Sequence, residues 1–188
     1  AHFTPVPWPE TKPGDWIKAH LPEGVVGFDP WLHGADEIAK LEAALEHTGV
    51  ILRPCANQID RIWPDQPGPP LGRAFPHPDS LAGETSAQKR TRLAEALRTE
   101  GQTAAVITLP DSICWLLNIR GGDVPRNPIL HALAILHDNG HVTLFADAAK
   151  FDEVTRSHLA AHVSLRPVSA FVPALHTLQG PVRVDRAT

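Results

Sequence analysis

Polar side chains follow directly on an apolar, tryptophan-containing run in the segment DSICWLLNIRGGDVPRNP, residues 111–128. Asn118, Arg120 and Asp123 come in close succession, separated only by an isoleucine and two glycines. An arginine can donate two parallel hydrogen bonds to a carboxylate, whereas amide and carboxylate side chains bind backbone groups or polar ligands. The spacing therefore indicates a polar cluster at the end of a buried element.

Two interpretations of this cluster are open. In the first, Asp111 or Ser112 caps a short helix, the glycine pair 121–122 permits a sharp exit, and the three polar residues hold the loop together. That helix would bury four apolar side chains, Ile113, Trp115, Leu116 and Leu117. In the second, the polar residues face another domain or a ligand. The residues alone favour neither interpretation.

Eleven histidines suggest a metal site, but their spacing argues against one. His158 and His162 lie four residues apart, yet the zinc-peptidase pattern needs a glutamate directly after the first histidine, where Leu159 stands. Phosphate-binding loops and nucleophile elbows are also missing from the sequence. We therefore predict no metal ligand and no catalytic residue here. The same prediction covers the other histidines considered, His77, His131, His137 and His141.

Composition limits the partners and the compartment. A formal net charge of -4 and a pI near 6.3 argue against nucleic acid as a partner. The basic cluster Lys89, Arg90 and Arg92 is predicted to be the solvated side of a helix. Cys55 and Cys114 suit reduced thiols in the cytoplasm, and no apolar run approaches the roughly 20 residues that span a bilayer. The absence of methionine and the abrupt start predict a piece of a longer protein.

The hydrophobic pattern predicts two α/β units. Residues 1–54 are expected to form a lead-in followed by strand, helix and strand, and residues 55–80 a stiff, proline-rich connector. In residues 81–188, Thr85 and Gln88 have the spacing of a capping box, and Asn139-Gly140 is typical of a hairpin turn. Strands that alternate with helices around this hairpin predict a mixed β-sheet flanked by helices.

Long motifs identify a family resemblance. The segment DSICWLLNIRGGDVPRNPILHALAIL strongly resembles the corresponding part of Xaa-Pro aminopeptidases of the three-domain kind. NQIDRIWPDQPGPP, LAGETSAQKR and LPEGVVGFDPWLH are similar to further blocks of the same family and occur in its order. The resemblance covers nearly the whole chain.

This resemblance implies a non-catalytic region built from creatinase-like N-terminal domains. Residues 1–54 would be the closing part of the first domain, 55–80 the link, and 81–188 the second, middle domain. The family removes the N-terminal residue from peptides with proline at position two. Its catalytic metallopeptidase domain, which usually holds two manganese ions, has no counterpart in this sequence, so this chain alone is predicted to be inactive and without a cofactor.

By the same resemblance, the chain would narrow the approach to the active site and support dimerisation. Its partners would be the C-terminal catalytic domain of the same polypeptide and a second copy in a homodimer. Proline-containing peptides would be the substrate of the full-length protein. Asn118, Arg120 and Asp123 are the candidates for the interface or for substrate access. The alternative is a stand-alone binding module of the creatinase N-terminal type that uses the 118–123 loop as its ligand surface.

Overall fold

The computed structural model describes residues 4–187 and divides them into two units. The first unit comprises residues 4–67 together with 186–187, and the second is Gly68–Asp185. Residues 1–3 of the predicted segment 1–54 and residue 188 of the predicted segment 81–188 lie outside the described residues. Among the helices of the described residues, none is long and apolar enough to cross a membrane.

The first unit contains a β-α-β arrangement. Its two strands pair in parallel, with Val26 opposite Leu52, and the intervening helix connects them. This is the strand, helix and strand order that the hydrophobic pattern predicts. The elements are α1 (Pro13–His20), β1 (Glu23–Phe28), α2 (Ala35–Ala44), β2 (Gly49–Pro54) and α3 (Gln58–Ile62).

The second unit is larger and also α/β. Two short elements, β3 (Ala74–Pro76) and α4 (Asp79–Ala82), lie wholly or partly in the segment predicted as a connector. The remaining elements are α5 (Ser86–Thr99), β4 (Ala104–Ile107), α6 (Pro110–Leu117), β5 (Ile119–Gly121), β6 (Leu133–His137), β7 (Val142–Phe145), α7 (Glu153–Leu159), β8 (Val163–Arg166), α8 (Phe171–Thr177) and β9 (Val182–Arg183).

Five of these strands form one mixed sheet in the order β8-β7-β6-β4-β9. β6 runs antiparallel to both β4 and β7, whereas β4 pairs with β9 and β7 with β8 in parallel. The β6-β7 hairpin turns at Gly140, whose φ of +80° is left-handed, as the Asn-Gly pair predicts. β3 and β5 form a separate antiparallel pair.

Helices pack on both faces of the five-stranded sheet, as predicted. One face carries the larger core, in which residues of β6 and β7 pack with α5, α6 and α7. On the other face, Ile135 and Phe145 meet Phe171 at the start of α8, and the two phenyl rings lie edge to face with centroids 5.3 Å apart. The alternation of β6 residues between the two cores follows from the period of two in a strand.

The prediction for α6 is wrong in two details. The helix begins at Pro110, whose missing N–H is not needed at that position, and Asp111 accepts a bond from Ser112 N inside the first turn instead of capping it. Trp115 is 44% exposed. It lies opposite the face that buries Ile113 and Leu117, because residues two positions apart point to opposite sides of a helix.

Candidate functional site

Asn118 is buried and holds three segments together. It ends α6 with φ 47° and ψ 52°, a left-handed conformation that asparagine tolerates better than most residues. Its Nδ2 donates to Asp79 Oδ1 at 2.7 Å and to the carbonyl of Glu84 at 2.9 Å. Its Oδ1 accepts a bond of 2.6 Å from Lys89 Nζ. The side chain of Asn118 is therefore committed to partners inside the second unit.

Lys89, predicted to be solvated, is only 2% exposed. Besides Asn118, its ammonium group binds the carbonyl of Trp115 at 2.9 Å and lies 4.6 Å from the centroid of the Trp115 ring. Burial lowers the pKa of Lys89, with smaller contributions from charged neighbours of both signs. The prediction that Lys89 lies on the solvated side of the helix is wrong. Lys89 lies four residues before Leu93 and eight before Leu97, so it is on the side of α5 that faces the core.

Arg90 is buried for the same geometric reason, since it lies four residues before the buried Ala94. Its Nη1 donates to the carbonyl of Gly140 at 2.7 Å, which ties α5 to the hairpin turn, and burial lowers its pKa. Arg92 alone of the three pairs with a surface carboxylate, that of Glu84, at 2.9 Å. Two of the three basic residues, Lys89 and Arg90, are thus buried and bind groups inside the second unit.

Asp123 is the acceptor for a second buried lysine. Its Oδ2 accepts from Lys150 Nζ at 2.8 Å and from His131 N at 2.7 Å, and its Oδ1 accepts from Gly72 N at 2.9 Å. The Asp123 and Lys150 side chains are 0% and 5% exposed. Burial alone would raise the pKa of Asp123, but the bonds from Lys150 and from the two backbone N–H groups outweigh it and lower the pKa.

Glycines next to this pair allow backbones to meet. A Cβ on Gly72 would lie 2.2 Å from the carbonyl carbon of Gly122, and one on Gly121 would lie 2.5 Å from the carbonyl oxygen of Ile129. Neither glycine of the 121–122 pair has a left-handed φ. Gly121 is therefore required for close packing, whereas the sequence interpretation assigned the pair to a sharp turn.

Arg120 lies in sequence between Asn118 and Asp123, but its side chain does not bind a buried lysine as theirs do. Arg120 is half-buried in β5, directly opposite Phe75 of β3, a residue that is 48% exposed. Its Nη1 donates to the carbonyl of Ile119, and no ion pair of Arg120 occurs within residues 4–187. Of the three candidate residues, only Arg120 keeps donors that can reach a partner.

The structure thus separates the three candidates. Asn118 and Asp123 bind different lysines and fix the two ends of the segment that carries Arg120. The role of the three residues at an interface stays a prediction. Sequence reasoning missed both lysines as members of the site. Helical spacing could have revealed Lys89, whereas Lys150 lies in a single short turn, Ala148–Lys150, and has no periodic signal.

The histidines that were considered as metal ligands have other surroundings. α7 ends at Leu159, so His158 and His162 do not share one helix, and His158 forms a hydrogen bond of 3.0 Å with the carbonyl of Leu117. No group of three or more His, Cys, Asp or Glu side chains placed to hold a metal ion occurs in the part of the chain that the structure describes.

The helix-flanked mixed sheet and the motif that closes α6 define the class of domain. Residues 65–188 match the sequence profile of the creatinase/prolidase N-terminal domain. The chain belongs to the creatinase/prolidase N-terminal domain family. The predicted fold class is thereby confirmed.

Individual relatives confirm the resemblance to Xaa-Pro aminopeptidases. A probable Xaa-Pro aminopeptidase P of Coccidioides posadasii is 36% identical over 167 residues, which are 87% of this chain and 26% of that protein. Aminopeptidase P2 of Arabidopsis thaliana is 35% identical over 87% of this chain and 24% of its own length. This chain spans about a quarter of the length of such relatives.

A solved structure agrees in fold. The X-prolyl aminopeptidase of Caenorhabditis elegans, described as a cytosolic enzyme with a di-nuclear active site, superposes with a TM-score of 0.80 and 31% identity. The superposition covers 88% of this chain and 27% of that chain. The similarity therefore concerns a minor part of the enzyme.

Proposed function

We propose that this chain is the non-catalytic N-terminal and middle region of an Xaa-Pro aminopeptidase. The observation that carries this proposal is coverage, because 87% of the chain aligns with only 26% of a relative that has this activity in its name. The whole protein would remove the N-terminal residue from peptides with proline at position two. Residues 1–54 and 81–188 would belong to its first and second domains, and the protein would act in the cytoplasm, as the nematode enzyme does.

The metal chemistry is assigned to the remainder of that protein. The described residues offer no cluster of three ligands, so they do not fit a metal centre of the kind that the resemblance implies. The two ions, manganese by that resemblance, would be held by the catalytic domain. For this chain we propose two supporting roles, which are narrowing the approach of peptides and contributing to a homodimer interface.

Arg120 is the residue that we assign to that interface. Its guanidinium group has no carboxylate partner within residues 4–187, and the exposed Phe75 ring lies across from it on β3. An exposed aromatic ring beside an arginine is the composition that interface centres favour. The buried bonds of Asn118 and Asp123 would keep the segment rigid, which reduces the entropy lost on binding.

The first test is hydrolysis of a short peptide with proline at position two by this chain alone, with and without added manganese. No turnover is expected in either case, and a longer protein that joins this chain to the catalytic domain should turn the peptide over. Manganese-dependent turnover by the chain alone would overturn the proposal. It would show that the chain assembles its own metal centre.

The second test is Arg120→Ala in that longer protein. We expect weaker dimerisation, by about tenfold or more in dissociation constant, because interface arginines that bind carboxylates contribute about 1.5–3 kcal/mol. The thermal unfolding temperature of this chain should change little, because the side chain of Arg120 donates only one hydrogen bond, to the carbonyl of Ile119. Sedimentation and peptide hydrolysis measure assembly and activity.

Arg126→Ala is the matched control for that test. Arg126 lies six residues after Arg120, beyond the end of β5, carries the same charge and is exposed. The assignment of Arg120 fails if both variants assemble and hydrolyse peptide as the unaltered protein does, or if both lose assembly equally.

A further inference from the structure

A groove of about 450 Å³ lies on the face of the five-stranded sheet that α8 covers only in part. We call it the histidine groove, and the polar residues that the sheet and the β6-β7 turn contribute to its lining are His137, His141, Thr143, Ser164 and Arg166. The strand register explains why these side chains meet, since Thr143 lies opposite Ser164 and Phe145 opposite Arg166. α8 covers Phe145 but leaves the polar half of β7 and β8 uncovered.

Each histidine of the groove is paired with a hydroxyl group. His137 Nε2 forms a hydrogen bond of 3.1 Å with Thr143 Oγ1, and His141 Nε2 forms one of 2.9 Å with Ser164 Oγ. The two imidazole rings are 6.0 Å apart between centroids. Two imidazoles and two hydroxyls thus lie close together in the groove, and Arg166 lines the same groove from β8.

The charged neighbours that shift the pKa values of His137 and His141 are mostly positive. Burial lowers the pKa of His137, His141 lowers it further, and Asp138 raises it. Burial also lowers the pKa of His141, followed by the charges of Arg90 and His162. The guanidinium of Arg98 donates to the carbonyl of Asp138 at the same turn. The lining residues from α8 and the two positions that flank it are uncharged: Ala170, Pro173, Ala174, Thr177 and Leu178.

We propose that the histidine groove is a binding site for a tetrahedral oxyanion of the phosphate type. The guanidinium of Arg166 supplies a fixed positive charge, and the hydroxyls of Thr143 and Ser164 supply donors from two neighbouring strands. Donors spread over several directions suit a tetrahedral anion better than a planar carboxylate. The site does not depend on the peptidase assignment.

Protonation of the histidines is coupled to this binding. A neutral ring nitrogen without a proton accepts the O–H of its hydroxyl partner, which leaves that proton unavailable to a ligand. A protonated ring instead donates its Nε2–H to the hydroxyl oxygen, so the O–H can turn toward the anion. The anion would also offset the repulsion between the two cationic rings. Binding should therefore take up protons and strengthen as the pH falls from 8 to 6.

The test is an NMR titration of the histidine ring signals of this chain with sodium phosphate, against sodium chloride at equal ionic strength. We expect the signals of His137 and His141 to move in phosphate alone, with a higher apparent pKa for both. Arg166→Gln should weaken phosphate binding about tenfold and leave the other ring signals in place, since Arg166 is exposed. Methyl phosphate in place of phosphate distinguishes a phosphate ester from the free anion.

His20 and His176 provide the internal control because both are exposed and lie outside the groove. The proposal is overturned if His137 and His141 respond no more than these two do. It is also overturned if Arg166→Gln binds phosphate as tightly as the unaltered chain. Saturable shifts with either phosphate or methyl phosphate support it, and the tighter of the two identifies the source of the anion.

Discussion

Asp123→Ala is expected to lower the free energy of unfolding of the second unit by about 3–5 kcal/mol. The loss is large because the substitution leaves the Lys150 ammonium buried without its carboxylate. Two backbone N–H groups, those of Gly72 and His131, also lose their acceptor. Urea unfolding followed by far-ultraviolet circular dichroism measures the change.

The same residue predicts the acid sensitivity of the fold. The pKa of Asp123 is lowered in the folded state, so its contribution to stability is complete above the ordinary aspartate range and is lost as the pH falls below it. The unaltered chain should therefore lose stability on acidification more steeply than Asp123→Ala does. Urea midpoints measured from pH 6 down to pH 3 test this difference in slope.

Arg73→Gln is the matched control because it breaks an ion pair on the surface, that of Arg73 with Asp152, whose side chains are 74% and 38% exposed. Solvent screens such a pair, so we expect a far smaller change. Equal urea midpoints for Asp123→Ala and Arg73→Gln would show that the buried pair does not stabilise the fold more than a surface contact does.

The elements that the sequence predicts correctly are those with local signals. Thr85 and Gln88 form the expected capping box, in which each side chain binds the other's backbone N–H. The Asn-Gly pair places the β6-β7 hairpin, and its antiparallel register follows. Both signals lie within four residues of the structure that they determine, so neither depends on the rest of the chain.

The features that the sequence does not reveal depend on distant contacts. β3 contains three residues in a proline-rich stretch, and it becomes a strand only by pairing with β5 more than 40 positions away, where Phe75 meets Arg120. The burial of Lys150 depends on Asp123, 27 residues earlier. Local propensity carries no information on either pairing, because strand formation is decided largely by neighbours in space.

Lys89 and Trp115 show a different limit. Residue type predicts a wet lysine and a buried tryptophan, yet Lys89 is 2% exposed and Trp115 is 44% exposed. For both residues, helical spacing predicts correctly whether the side chain faces the core or the solvent, whereas residue type predicts the opposite. A long side chain with polar partners within reach can occupy a core position, so spacing is the better guide for these two residues.

Asn118→Ala should be the second most damaging substitution, with a loss of about 3 kcal/mol in unfolding free energy. The buried Lys89 ammonium would lose its 2.6 Å acceptor, and the carbonyl of Glu84 would lose a donor. Alanine would also have to adopt the left-handed φ of 47°, which costs about 1–2 kcal/mol for residues with a Cβ. Chemical denaturation of this chain measures the total.

Asn118→Gly and Lys89→Met separate these two causes. Glycine adopts the left-handed conformation freely, so Asn118→Gly should recover only the backbone part and remain less stable than the unaltered chain by about 1–2 kcal/mol. In a Lys89→Met background, Asn118→Ala should cost less than it does alone, because no buried ammonium is then left without its acceptor. If Asn118→Gly is as stable as the unaltered chain, Asn118 contributes to stability only through its left-handed backbone conformation. The hydrogen bond from Lys89 would then contribute nothing measurable.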